Sequence, residues 1–151
     1  MKTSQNGLRA LMKSESFEPV AYQDSVGIWT IGYGSIKVDG RPVVKGQRIT
    51  QEKAADELAR FISGLEAGLS TALNKTPTKQ HEFDAFVNIA YNIGLSGALG
   101  STFLKRHIAG DKRGCAEAIK WWNKAGGKTL KGLVNRRERE ANMYLNGVYS
   151  L

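Results

Sequence analysis

The spacing of apolar positions changes twice along the chain. Over residues 7–17, Leu8, Leu11 and Met12 stand at i, i+3 and i+4, which predicts a one-sided helix, and Glu15 falls at i+7 on the same stripe. A carboxylate at the end of an apolar face needs a partner or sheds its charge. Pro19 bars the helix from continuing and pushes Glu18 towards extended backbone. From 20 to 44 the pattern is that of strands. Tyr22, Val26, Ile28, Trp29, Ile31, Tyr33, Ile36 and Val38 are β-formers, punctuated by Gly27, Gly32, Gly34 and Gly40. Asp39-Gly40 between Val38 and Val43 is a hairpin signal. The pattern predicts a small antiparallel sheet of two or three strands, which must lean on helices to be stable.

From Thr50 the helical period returns and lasts to the end. Thr50 suits an N-cap, with Glu52 in the first turn. Leu58, Phe61, Ile62, Leu65, Leu69 and Leu73 then trace one long helix face, interrupted by Gly64 and Gly68 at a modest cost. Pro77 marks a connector, after which Thr78 could cap a helix over 79–93. Phe83, Phe86, Val87, Ala90 and Tyr91, widened by Ile89 and Ile93, make that helix the centre of the core. Further helices are predicted over 101–109, 112–124 and 132–146, separated by Gly110 and Gly126-Gly127 and closed by Gly147. The fold class is α+β. A small lobe over 14–55 carries the short sheet, a long helix leads out of it, and a larger helical lobe spans 70–151 with the first helix packed against it. Together they form one domain.

Composition narrows the partners. Lys plus Arg number 22 against 14 Asp plus Glu, a formal charge of +8, which favours a polyanion: nucleic acid, an acidic membrane face or an anionic wall polymer. Eleven of these cations lie in 105–139 beside only Asp111, Glu117 and Glu138. A solvated helical surface would look the same. No nucleic-acid motif accompanies the charge, and Trp121-Trp122 read as core rather than as a base-stacking platform. The single cysteine, Cys115, excludes an intramolecular disulfide and reads as a small helix residue. His81 and His107 lack metal-ligand spacing with each other or with Cys115, so neither a metal nor a cofactor is expected. The first residues are polar, with Arg9 and Lys13 interrupting the apolar ones, and no stretch suggests a signal core or a membrane span.

The chemistry candidates sit at the start. Glu15, eight residues, Asp24, five residues and Thr30 lie in one stretch. Glycosidic cleavage needs an acid for the leaving oxygen and a second carboxylate to stabilise charge or deliver a nucleophile. Those two groups need unlike surroundings. An apolar helix end favours the neutral form of a carboxyl, and the polar turn Gln23-Asp24-Ser25 favours the ionised one. Thr30 offers a hydroxyl that could hold a water beside Asp24. Spacing alone favours a plainer reading, a helix-end Glu and a turn Asp that are both solvated. Glu18 falls outside the spacing and reads as a surface residue. GYGSIKVDG lacks the spacing and the following helix of a phosphate-cradling loop.

The stretch ALMKSESFEPVAYQDSVGIWTIGYG resembles the N-terminal signature of phage-type lysozymes, glycoside hydrolase family 24, in which the E, eight, D, five, T pattern is set in AYxDxxGxWTIGYG. AFVNIAYNIG, STFLKRHIAGD and WWNKAGGKTLKGLVNRREREANMYLNG are similar to later parts of the same family, so the resemblance runs from about Gly7 to Gly147. It implies a muramidase acting on the β-1,4 bond between N-acetylmuramic acid and N-acetylglucosamine. Glu15 would be the general acid, with Asp24 and Thr30 positioning a water for inverting attack. Gly34, Ile36, Tyr91 and Asn92 would line the glycan path, although Tyr91 also fits the core stripe. Arg136, Arg137 and Glu138 would match the family's RRxxE-like helix, with Glu140 rather than Glu138 as the counterpart of its acid, and internal ion pairs would form there. The setting implied is an endolysin, acting as a monomer, held in the host cytoplasm until a holin gives it access to the wall. The chain departs from the pattern twice: Ser35 stands where the family has histidine, and Ser16 where it has glycine after the acid. A lytic transglycosylase and a non-catalytic cationic wall- or membrane-binding module remain as alternatives.

Overall fold

A computed structural model describes residues 1–150. The chain divides into two units, Leu11–Ser63 and a second made of Met1–Ala10 with Gly64–Leu151. Two helices, α1 (Gln5–Glu15) and α2 (Gln51–Leu73), belong partly to each.

The Leu11–Ser63 unit carries the short strands. β1 (Glu18–Gln23) pairs antiparallel with β2 (Trp29–Gly32), and β3 (Lys37–Val38) pairs with β4 (Arg41–Pro42). The expected small sheet is thus two separate hairpins. The second turns on Asp39-Gly40, with φ of 51° and 78°, the left-handed pair that a two-residue hairpin turn requires. Ile31, Tyr33, Val43, Ala54, Leu58 and Ile62 are buried together with Leu11. Gly32 lets β2 approach α2: its φ is 67°, and a Cβ there would meet the Ala54 Cβ at 2.9 Å. Thr50 caps α2, its Oγ1 accepting from the Lys53 N–H at 3.1 Å. The stripe on α2 holds except at Phe61, which lies 61% exposed although its spacing placed it inward.

In the other unit α3 (Gln80–Ile93) is buried on every side from Glu82 to Ala90. Phe86 meets Phe103, His107 and Tyr144 at ring-centre distances of 5.0–6.0 Å. Each buried polar group of α3 is answered. Glu82 accepts from the Lys79 N–H at 2.7 Å and pairs with Lys112 at 2.6 Å. Asp84 accepts from the Ser4 N–H and hydroxyl, from Gln80 and from the Tyr149 hydroxyl. Asn88 accepts from Arg136. Glu82, not Thr78, therefore closes the start of α3; Thr78 donates to the Thr76 carbonyl instead. Gly68 of α2 makes room for Leu95, whose Cδ2 a Cβ would meet at 2.6 Å.

After α3 come α4 (Leu95–Leu99), α5 (Thr102–Ile108), α6 (Lys112–Ile119) and α7 (Lys131–Asn146). The helix expected over 112–124 stops at Ile119. Lys124–Ala125 (β5) and Lys128–Thr129 (β6) instead form a hairpin around Gly126-Gly127, whose φ values of 58° and 78° favour the turn over a helix. Trp121 and Trp122 precede it and are exposed, 52% and 37%, where the sequence suggested core. With α6 ended before them, nothing places both indoles inward. Arg136, Arg137 and Glu140 of α7 are all buried, with Glu140 2.5 Å from Arg137 and 3.3 Å from Arg136. Cys115 is buried as a plain helix residue, and burial pushes its thiol up to about 12, far from a reactive thiolate.

Candidate active site

Glu15 is the last residue of α1. The helix carries one bond further, from the Ser16 N–H to the Met12 carbonyl, and then turns sharply because Ser16 adopts φ 57°. That left-handed conformation costs an ordinary residue about 1 kcal/mol or more, and glycine almost nothing. Phe17 then packs on Tyr33, with ring centres 5.6 Å apart, fixing the step from α1 into β1. Glu15 is left half-buried with its Oε1 shielded from solvent, while Glu18 is exposed, as its spacing suggested.

Asp24 begins the turn between β1 and β2. Its Oδ1 accepts the N–H groups of Val26 at 3.0 Å and Ile28 at 2.8 Å. Neither bond falls on Oδ2. The main chain closes the same turn, with Asp24 N–H donating to the Ile28 carbonyl and Gly27 N–H to the Asp24 carbonyl. Thr30 follows on β2 and is buried, and its hydroxyl donates to the Ile28 carbonyl at 3.0 Å. The main chain of one turn residue, Ile28, therefore registers both side chains: its N–H holds Asp24 and its carbonyl holds Thr30. With its proton spent, Thr30 Oγ1 faces other groups as an acceptor.

Tyr22 was not among the residues picked out by spacing, and it belongs here. It pairs directly across the hairpin with Thr30, so the two share one face of the ribbon. Two residues on, Asp24 opens the turn that follows the strand. Burial holds the Tyr22 phenol above its ordinary value, and the charges of Glu18, Glu15 and Asp24 push the same way. The phenol is thus a protonated donor amid three carboxylates. In the sequence it looked like one more β-former; its place two residues before Asp24 on a strand was the available signal.

Of the expected glycan-path residues, Gly34 and Ile36 lie in the same unit as Glu15, Asp24 and Thr30. Gly34 has φ 91° and Ile36 is 48% exposed. Tyr91 and Asn92 belong to the other unit, near the end of α3, half-buried and exposed respectively. Tyr91 is therefore not the fully buried core residue that its stripe suggested. Ser35 holds its place through its main chain, exchanging bonds of 2.8 and 2.9 Å with Ile31. That closure works whatever the side chain, so the hairpin tolerates serine where the family pattern has histidine. Among the described residues no cluster of His, Cys, Asp or Glu is arranged to hold a metal ion.

Among the described residues, seven helices with short antiparallel hairpins, and an acid, turn aspartate and threonine on the first helix and hairpin, define a lysozyme-like α+β protein. The chain belongs to the phage lysozyme family, whose model matches residues 12–140 and so spans Glu15, Asp24 and Thr30. The solved endolysin from Escherichia coli O157:H7 phage FAHEc1 is 48% identical and superimposes with a TM-score of 0.94 over 100% of this chain and 98% of its own. The endolysin of Salmonella phage P22 is 37% identical over 147 residues, covering 97% of this chain and 99% of the relative. The muramidase domain of SpmX from Asticaccaulis excentricus is 28% identical, with a TM-score of 0.85 over 95% and 97% of the two chains. The chain is a lysozyme, a peptidoglycan-lysing glycoside hydrolase of phage type.

Proposed function

We propose that this lysozyme hydrolyses the β-1,4 bond between N-acetylmuramic acid and N-acetylglucosamine with inversion, serving as an endolysin in host lysis. Glu15 protonates the glycosidic oxygen as the bond breaks. A water held between Asp24 and Thr30 attacks the anomeric carbon from the opposite face. Thr30 Oγ1 accepts one hydrogen of that water, and Asp24, through the oxygen its turn leaves unused, takes the proton released on attack. Each turnover thus moves one proton from Glu15 to the leaving sugar and one from water to Asp24, and solvent exchange resets both. The observation that carries this reading is the main chain of Ile28, which fixes Asp24 by its N–H and, by accepting the Thr30 proton at its carbonyl, leaves the Thr30 hydroxyl to act as an acceptor. A transglycosylase closes the sugar on itself and has no use for a held water.

The test is clearing of permeabilised Gram-negative cells by wild type and Glu15→Gln. Loss of a positioned acid costs about 10²–10⁴-fold in rate, so the folded variant is expected to be almost inert. Undiminished clearing would return the chain to a charge-driven, non-catalytic mode. Products are expected to end in ordinary reducing sugars, whereas 1,6-anhydro ends would assign the transglycosylase reaction. The proposal includes holin-dependent access to the wall by a monomeric enzyme. Cells expressing the chain alone are expected to stay intact until the inner membrane is permeabilised; lysis on expression alone would contradict that part.

A further inference from the structure

The stretch Lys120–Lys131, KWWNKAGGKTLK, holds four lysines and two tryptophans and no Asp or Glu. It folds as the β5–β6 hairpin with its lead-in, and every residue from Lys124 to Gly132 is exposed. Trp121 and Trp122 are 52% and 37% exposed, and Leu130 is 44% exposed where the hairpin leads into α7. The hairpin is held rigidly. Leu130 N–H donates to the Asn123 carbonyl at 3.0 Å, and buried Arg137 donates to the Trp122 carbonyl at 3.3 Å. The Arg106 guanidinium lies 4.8 Å from the ring centre of Trp121. The nearby acid Glu138 is paired with Lys120 at 3.6 Å, leaving Lys124, Lys128 and Lys131 to set the local field.

An acid-free display of part-exposed indoles and lysines is costly in water, and the contacts it makes to the fold, Trp121 with Arg106 and the Trp122 carbonyl with Arg137, leave much of both indoles open to solvent. We propose that it is a docking surface for an anionic phospholipid bilayer. Indole rings settle at the headgroup level of a bilayer, with the apolar body inward and the N–H towards water. Lysines on the same edge are drawn to anionic headgroups, each strengthening association about fivefold. A saccharide would need an open aromatic face for stacking, and Arg106 already covers one face of Trp121. No described helix is long and apolar enough to cross a membrane, so this docking is peripheral. It uses none of Glu15, Asp24 or Thr30 and does not depend on their assignment.

The experiment measures partition of the full chain onto vesicles of phosphatidylethanolamine with phosphatidylglycerol, against vesicles of phosphatidylcholine alone, by co-sedimentation. Wild type is expected on the anionic vesicles at least about tenfold more than on the neutral ones. Lys124→Ala with Lys128→Ala is expected to weaken anionic partition about 30-fold. Trp121→Ala is expected to weaken it by about tenfold. Wild type and both variants should digest purified sacculi at equal rates, which reads the enzyme separately from the membrane. The lysines are exposed, so their variant decides the matter even if replacing a tryptophan disturbs the hairpin. Equal partition onto both vesicle types overturns the proposal, as does undiminished partition of the lysine variant. Loss of sacculus binding in the variants with vesicle binding unchanged also overturns it and assigns the patch to the wall polymer.

Discussion

Ile28 offers no functional side chain, yet its main-chain carbonyl and N–H set the hydroxyl of Thr30 and the carboxylate of Asp24. The sharpest substitution at this scale is therefore Thr30→Val, which keeps the shape and removes the lone pairs offered to water. It is expected to lower kcat about 10²-fold, with Thr30→Ser recovering most of the loss, as steady-state turnover of soluble peptidoglycan fragments would show. An equal loss in Thr30→Ser would mean that packing of the methyl, not the hydroxyl, matters. Tyr22→Phe removes a donor set amid three carboxylates and is expected to cost about tenfold in kcat while leaving the melting temperature within a degree or two. Ser16→Gly relieves a left-handed residue at φ 57° and is expected to raise stability by about 1 kcal/mol in denaturant melts. Glu15, Asp24 and Thr30 stand out in the sequence through the resemblance that their spacing and context carry, since spacing alone favours surface acids. Tyr22 does not, since a tyrosine in a strand reads as β propensity until its cross-strand partner is known.

The helices carry this legibility unevenly. α3 was readable from its apolar stripe, and its buried Glu82, Asp84 and Asn88 were not, because each depends on a partner distant in sequence: Lys112, Ser4 with Tyr149, and Arg136. The boundary of α6 was misplaced for a related reason. The apolar Trp121-Trp122 pair extends a helical pattern, while the turn that ends it is set by Gly126-Gly127 several residues later. On α7, Glu140 is enclosed with Arg136 and Arg137, so Glu140→Ala leaves buried guanidiniums without their carboxylate. It is expected to cost about 3–5 kcal/mol, which a thermal melt would register as a large fall. His107 gives a pH signature. Burial holds its imidazole below the ordinary 6.5, its Nδ1 lies 2.6 Å from the Tyr144 hydroxyl, and its Nε2 lies 3.0 Å from that of Thr78. The attraction of Glu82 opposes this lowering and Lys112 adds to it. The unfolded chain therefore takes up a proton before the folded one does. Stability from this group is full above 6.5 and is lost as pH falls from there towards the lower folded value. Unfolding melts across that range should show the slope, and His107→Gln should flatten it.

For the whole molecule, the division into units falls inside α1 and α2. No break in composition or periodicity could reveal it, since both helices run on through the boundary. Charge, by contrast, was readable at once: a chain of +8 meets an anionic wall faster than a neutral one. Clearing rates are accordingly expected to fall as salt shortens the screening length below about 10 Å, with kcat on small fragments much less affected. A salt-independent rate on whole walls would remove charge from the account. The central claim is that Glu15 gives a proton while a water held by Asp24 and Thr30 attacks from the far face. The anomeric form of the first product reports on this directly. Proton NMR during cleavage of a defined peptidoglycan oligomer, read before mutarotation, is expected to show the new N-acetylmuramic acid end appearing as the α anomer. A β anomer appearing first would contradict single-step attack by that water and require a retained, two-step route.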